Sequence, residues 1–174
     1  DLAQLCDEVA YRYQNICEQS GYTLTVDAAD PCTVTADPDM MSRVVHNLLA
    51  NAIHHIGPDG CVALRENRSQ RRRADHGAGI AREDLLYIFD KYYRSRADAG
   101  KVGTGLGLSI TKAILINHGF PFGVDSEPGK GSIFWFVAIE PDIFFCKKGT
   151  SRTCGRSLLF VEKPPAMPVV RKSL

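Results

Sequence analysis

Apolar residues recur at helical spacing through Leu2, Leu5, Cys6, Val9, Tyr13 and Ile16, and Gly21 stands where a helix of that register would end. A short strand is expected over 22–26. Asp37-Pro38-Asp39 has the chemistry of a helix start, a carboxylate to cap open amides followed by a proline that suits the first turn. From there Met41, Val44, Val45, Leu48, Leu49, Ala52 and Ile56 form one continuous stripe, which stops before Gly57-Pro58-Asp59-Gly60. A second strand is expected over 61–64, and then the pattern fails: RENRSQRRRAD, residues 65–75, holds five arginines and almost nothing apolar. Beyond Ala81 a short helix would carry Leu85, Leu86, Ile88 and Phe89, and 95–103 reads as a polar, glycine-containing mobile loop. LGLSITKAILINHG predicts another helix, ended by Gly119, and the turn Glu127-Pro128-Gly129-Lys130-Gly131 leads into a last strand over 133–139. Helices and strands in this order predict an α/β two-layer sandwich, a mixed sheet covered on one face by helices, ending near residue 140. No internal repeat is visible.

A chain of 174 residues with 44% hydrophobic content can bury one ordinary core and carry a tail. Lys and Arg number 21 against 20 Asp and Glu, so the net charge of +1 exerts no global pull toward nucleic acid or acidic lipid. The run Arg71, Arg72, Arg73 reads as a solvated edge or interdomain contact before it reads as a nucleic-acid site. The longest apolar run, 133–139, falls well short of the roughly 20 residues that cross a bilayer. With no leader-like start, the expectation is a soluble, cytoplasmic piece of a longer protein, any membrane anchor residing in other segments. The six cysteines form no CxxC pair and are expected to be reduced.

Three motifs could carry chemistry. Asn47 and Asn51 lie four apart on the strongest helix, off its apolar stripe, with His54 and His55 one turn further on. They are either a solvated face or neutral oxygen ligands suited to Mg²⁺ when phosphates supply the negative charge. Asp75-His76-Gly77-Ala78-Gly79-Ile80 is either a simple loop or a turn whose glycines admit a planar ligand beside a carboxylate acceptor. Gly103-Thr104-Gly105-Leu106-Gly107-Leu108 runs into a helix, so it is either a bare glycine loop or a phosphate cradle, without the Gly-Lys-Ser/Thr ending of a P-loop.

The order of these elements resembles the ATP-binding catalytic domain of sensor and hybrid histidine kinases, within the gyrase, Hsp90, histidine kinase and MutL superfamily. HNLLANAIHHIGPDG resembles its N box, DHGAGI the first glycine box, IFDKYYRS the phenylalanine box and GTGLGLSI the second glycine box. SEPGKGSIFWFVAI resembles the closing hairpin, with Gly131-Ser132 where Gly-Thr is usual. The resemblance covers about residues 1–140 and implies a Bergerat-type sandwich that binds ATP and Mg²⁺ under a flexible lid. By motif match, Asn51 would be the Mg²⁺ ligand and Asn47 a supporting group near the phosphates, the two together serving catalysis, with His54 and His55 extending that face. Asp75 would bind the adenine amino group in a pocket shaped by Gly77, Gly79 and Ile80. Gly103, Gly105 and Gly107, with Thr104, Leu106 and Leu108 between them, would bracket the phosphates. Phe89 would anchor the lid, Arg94 would be available to a phosphate, and Ser132 would close the site from the hairpin.

Hydrolysing relatives place a glutamate four residues before the metal-binding asparagine, where it can activate water; here that residue is Asn47, which cannot take a proton at neutral pH. The resemblance therefore implies phosphotransfer to a protein histidine, with a degenerate pseudokinase, or a self-contained ATPase, as the alternatives. The histidine would lie on an upstream dimerisation domain: none of His46, His54, His55, His76 and His118 stands in the signature of a phosphoacceptor, and this chain alone is expected to be monomeric and not to label itself. His118, ending a helix, reads as a C-terminal cap. Three departures stand out. His54 and His55 occupy positions often filled by lysine and tyrosine, Pro121 sits at a strand start, and the strand expected before Asp75, usually alternating valine or leucine, reads SQRRRA. Past the domain, 141–156 reads as a linker. Residues 157–174 resemble the truncated start of a response-regulator receiver domain, with Glu162-Lys163 in place of its paired acids; the alternatives are an unrelated tail or a strand packing on the domain.

Overall fold

The computed structural model describes residues 1–28, 32–57, 60–67, 79–94, 103–139 and 156–162. Helix α1, Leu2–Gln19, is opened by the Asp1 carboxylate, which accepts from the amides of Ala3 and Gln4 at 2.9 and 3.3 Å. It closes where Gly21 takes φ +72°, with the Tyr22 amide on the Cys17 carbonyl at 2.8 Å and the Gly21 amide on that of Glu18 at 3.1 Å. That double closure needs a left-handed residue, which glycine supplies without a Cβ penalty. Strand β1, Thr23–Asp27, follows. Helix α2, Pro38–His54, begins at the predicted place, with the Asp37 carboxylate accepting from the Met40 amide at 3.0 Å. Its stripe of Met41, Val44, Val45, Leu48, Leu49 and Ala52 is buried. At about 1.5–3 kcal/mol for each large side chain, that stripe is what holds the helix to the sheet.

Strands β2 (Cys61–Asn67), β3 (Phe122–Glu127), β4 (Gly131–Ile139) and β5 (Arg156–Glu162) complete a five-stranded sheet in the order β1-β2-β5-β4-β3. β1 runs parallel to β2, with Thr23 opposite Cys61, and the other neighbours are antiparallel. Along β4, Phe134, Phe136 and Ala138 point into the core shared with the helices, where Val62 and Leu64 of β2 meet them. β3 is an edge strand that starts directly after Pro121, so the missing proline N–H costs no ladder bond, and the Pro121 carbonyl accepts from Val137 at 2.8 Å. Helix α3, Gly107–Asn117, ends in the same double closure as α1, with Gly119 at φ +66°. There His118 does more than cap. Its Nδ1 lies 2.8 Å from the Ile114 carbonyl and its Nε2 accepts from the Asp37 amide at 3.2 Å, tying the end of α3 to the start of α2.

Two expectations need correction. β2 runs past residue 64 to Asn67, because β5 pairs with it from Ala63 to Asn67, and a backbone ladder needs no apolar side chain. The helix expected after Ala81 is a run of turns instead. The Leu85 and Ile88 amides close four-residue turns on Ala81 and Asp84, while those of Asp84, Tyr87 and Asp90 close three-residue turns on Ala81, Asp84 and Tyr87. So short a segment has too few bonds to offset helix nucleation, and Ile88 and Phe89 hold it to the core. Residues 156–162, placed by sequence at the border of a linker and a tail, lie third among the five strands of this same sheet.

Candidate functional site

The site begins on α2. Asn47 is half-buried and donates through Nδ2 to the Gly107 carbonyl at 3.1 Å and to the Thr111 hydroxyl at 3.4 Å. It therefore clamps the polar face of α2 onto the first turns of α3. Asn51, one turn on and half-buried, has no side-chain hydrogen bond among the described residues, which leaves its amide oxygen available to a ligand. His54 and His55 follow, rings edge to face with centroids 4.9 Å apart.

Facing them, α3 starts without a side-chain cap at Leu106, and the Ser109 hydroxyl turns back to donate to the Leu106 carbonyl at 2.9 Å. A helix start of this kind presents open N–H groups and the positive end of the helix dipole, the chemistry that holds phosphates. Gly103 and Thr104 before it are exposed, Leu106 is half-buried, and Leu108 packs against the core. Gly105 is required by geometry: it has φ +67°, and a Cβ there would sit 3.0 Å from the backbone of Tyr92 and Tyr93. The Tyr92 amide donates to the Gly105 carbonyl at 3.0 Å, so the chain entering 95–102 and the chain leaving it are fastened together. Arg94, at the entry, is exposed. Phe89 packs edge to face on Phe122 and Phe134, with centroids 5.2 and 6.4 Å away, which fixes the turns over 82–89 against β3 and β4. The expected lid itself, 95–102, lies outside the described residues.

Asp75 and Gly77 also lie outside the described residues, while Gly79 and Ile80 lie within them. Gly79 has φ +66°, and any Cβ would run into the Glu127 carbonyl and come within 2.8 Å of the Pro128 Cα. Only glycine lets this loop lie on the β3–β4 turn. The Ile80 amide donates to the Ser126 hydroxyl at 2.8 Å; Ser126 donates onward to the Gly131 carbonyl at 3.0 Å, and its oxygen lies 2.8 Å from that of Ser132. With its one proton on Gly131, Ser126 accepts from Ser132, so the Ser132 hydroxyl is committed to this network. Thr111, Ser126 and Tyr92 are the supporting residues that sequence reasoning missed. Tyr92 lies in the phenylalanine box and Ser126 opens the closing hairpin, while Thr111 follows the second glycine box by one residue, yet no motif singles out any of the three and only the backbone path reveals them.

Among the described residues no group of three or more His, Cys, Asp or Glu side chains is placed to hold a metal. A neutral amide oxygen and a helix N-terminus fit Mg²⁺ that arrives with phosphates, and do not fit a metal held by protein charge alone. A shallow depression of about 280 Å³ lies elsewhere, on the α1–α2 seam between Arg12, Arg43 and His46. Beside it the Tyr13 hydroxyl lies 2.9 Å from His46 Nδ1. Burial, and then Cys17 nearby, push the Tyr13 phenol up.

A helix-on-sheet sandwich with a paired-amide face on one helix and a glycine-led start on the next defines a nucleotide-binding class. Residues 36–142 match the family of histidine kinase-, DNA gyrase B- and HSP90-like ATPases, and the chain belongs to that family. Within it, the chain is homologous to the catalytic, ATP-binding domains of sensor histidine kinases. It is 42% identical over 110 residues to the sensor histidine kinase ZraS of Klebsiella oxytoca, covering 60% of this chain and 23% of that protein. With the sensor protein SrrB of Staphylococcus aureus it shares 35% over 147 residues, covering 81% of this chain and 25% of that one. The chain thus spans about a quarter of the curated relatives it matches. Among solved structures, the mycobacterial sensor histidine kinase MprB superposes with a TM-score of 0.61 at 22% identity, covering 96% of this chain and 98% of that chain. The catalytic domain of the histidine kinase ThkA gives 0.58 at 19%, covering 94% and 92%. At these identities the likeness speaks for the fold.

Proposed function

We propose that this chain is the catalytic part of a protein histidine kinase, which binds ATP with Mg²⁺ and presents the γ-phosphate to a histidine on a separate dimerisation domain, for onward transfer to a receiver domain. The observation that carries the reading is the Asn47 clamp, which sets the amide face of α2 against the uncapped start of α3. Asn51 would offer its amide oxygen to the metal, and the first-turn amides of α3 would hold phosphate oxygens. Bound Mg²⁺ would neutralise charge on the phosphates. Asp75 would accept from the adenine amino group, with Gly79 letting the following chain close against the hairpin. Asn47, its amide donating to Gly107 and Thr111, is no base for water, so the nucleophile must come from a partner imidazole.

A second reading, a degenerate domain acting through protein contacts, is favoured by the strand beside β2, which is β5 and not one that leads into Asp75. Calorimetric titration with ATP separates the two. The kinase reading expects Mg²⁺-dependent binding that Asn51→Ala weakens by at least about tenfold, roughly 1.4 kcal/mol. Equal affinity with and without Mg²⁺ would sink the role of Asn51, and no binding at any Mg²⁺ concentration would establish the degenerate reading.

A further inference from the structure

The family match ends at residue 142, yet the third strand of the five-stranded sheet is made by residues 156–162. β5 pairs antiparallel on both sides. Ala63 to Asn67 of β2 face Glu162 to Leu158 along one edge, and Ile133 to Ile139 of β4 face Glu162 to Arg156 along the other. Without it, β2 and β4 would each carry a row of orphan N–H and C=O groups in the middle of the domain, next to core residues such as Leu64 and Phe136, both 0% exposed. The chain directly after β2 reads RSQRRRA over 68–74, whereas residues 157–161 read SLLFV. A strand in mid-sheet is expected to be an apolar, β-branched or aromatic run, and only the second segment has that composition. Arg156 lies opposite Ile139, the last residue of β4, so residues 140–155 have only to join two adjacent strand ends. The entropy of closing such a loop grows slowly with length and does not oppose the arrangement.

We propose that the gap between β2 and β4 is a strand-acceptor site filled in cis by residues 156–162, and that the folded domain therefore extends to residue 162 and depends on a segment outside its family's range. The segment that the sequence reading put at the border of linker and tail is then a strand of the domain's own sheet. The proposal concerns the sheet and holds whether or not the site binds nucleotide.

Amide hydrogen exchange on the full chain tests it without ligand. Amides of 157–161 should exchange at least about 100-fold more slowly than in a free peptide of the same sequence, at the pace of 133–138 in β4. Exchange as fast as in the peptide would overturn the proposal. Phe160→Pro, which removes a ladder donor where Phe160 faces both Arg65 and Trp135, should speed exchange in β2 and β4 together and lower Tm by about 8 °C or more, up to loss of a cooperative transition. Val170→Pro, outside the strand, should leave both unchanged. If Phe160→Pro melted like the parent, or if β2 and β4 kept their exchange rates, the strand would be an accessory and the proposal wrong.

Discussion

The α2–α3 seam and the middle of the sheet carry the domain in different ways. In the seam, contacts are made by side chains whose neighbourhoods advertise them: Asp37 caps α2, Asn47 reaches Gly107 and Thr111, and His118 returns to the Asp37 amide. In the sheet, β2 and β5 are joined by backbone pairing that sets Arg65 opposite Phe160, a match no side-chain rule would propose. The seam is specific and lightly built, a few hydrogen bonds worth about 0.5–1.5 kcal/mol each. The sheet centre is joined by backbone ladders and rests on buried apolar side chains such as Leu64 and Phe136. On the function proposed above, the seam would carry the chemistry and the sheet most of the stability, so each can be perturbed while the other is watched.

The largest effect should come from the sheet. Phe136 is 0% exposed, on the central stretch of β4, opposite Phe122 on one side and Leu159 on the other. Phe136→Ala should destabilise the fold by about 3–5 kcal/mol, transfer and cavity terms together. Denaturant titration measures it, and a loss below about 1.5 kcal/mol would mean the sheet centre is loosely packed and the contrast with the seam is void.

A smaller and more selective effect is expected at the clamp. Asn47→Ala removes two hydrogen bonds, to the Gly107 carbonyl and to the Thr111 hydroxyl, and at roughly 0.5–1.5 kcal/mol each should cost about 1–3 kcal/mol. Thr111→Val keeps the volume of a residue only 1% exposed and removes only the longer, 3.4 Å contact, so its cost should be lower. Measured as a double-mutant cycle, the two should couple, whereas Asn47→Ala and Phe136→Ala should add. Additivity of Asn47 with Thr111 would break the idea that one clamp fixes the α3 start.

The same division explains what could be read in the sequence. Helices α1 to α3 announce themselves by period, cap and terminal glycine, all signals within a few residues of where they act. The glycine positions were legible as motifs, but the physical need for Gly79, a collision with the Glu127 backbone, is a contact across many residues of chain. Thr111 gave no signal and Ser126, though it opens the hairpin motif, none of its own, since a single hydroxyl matters only once a distant amide arrives beside it. The turns over 82–89 misled because apolar spacing can mark a docked turn as well as a helix. β5 was hardest, because pairing partners that lie far apart in the chain leave no periodic trace of each other.

The smallest effect concerns pH and falls on α1, outside both regions. The Tyr13 phenol is raised above its ordinary 10.0 by burial first and Cys17 second, and the Cys17 thiol above its ordinary 9.0 by burial first and Glu18 second. In both, the folded chain holds the proton more tightly than the unfolded one. The stability tied to it is fully present below the unfolded value and is lost as pH rises through the folded one. Stability should therefore be flat in this respect through neutrality and fall above about pH 9–10. Tyr13→Phe removes one of the two ionisations, so its alkaline decline should be shallower than the parent's, while at neutral pH it loses the contact to His46 and about 0.5–1.5 kcal/mol. Phe136→Ala and Asn47→Ala should shift the whole profile downward without changing that slope. Tyr13→Phe with the parent's alkaline slope, followed by chemical denaturation at each pH, would show that burial on α1 does not hold the phenol's proton.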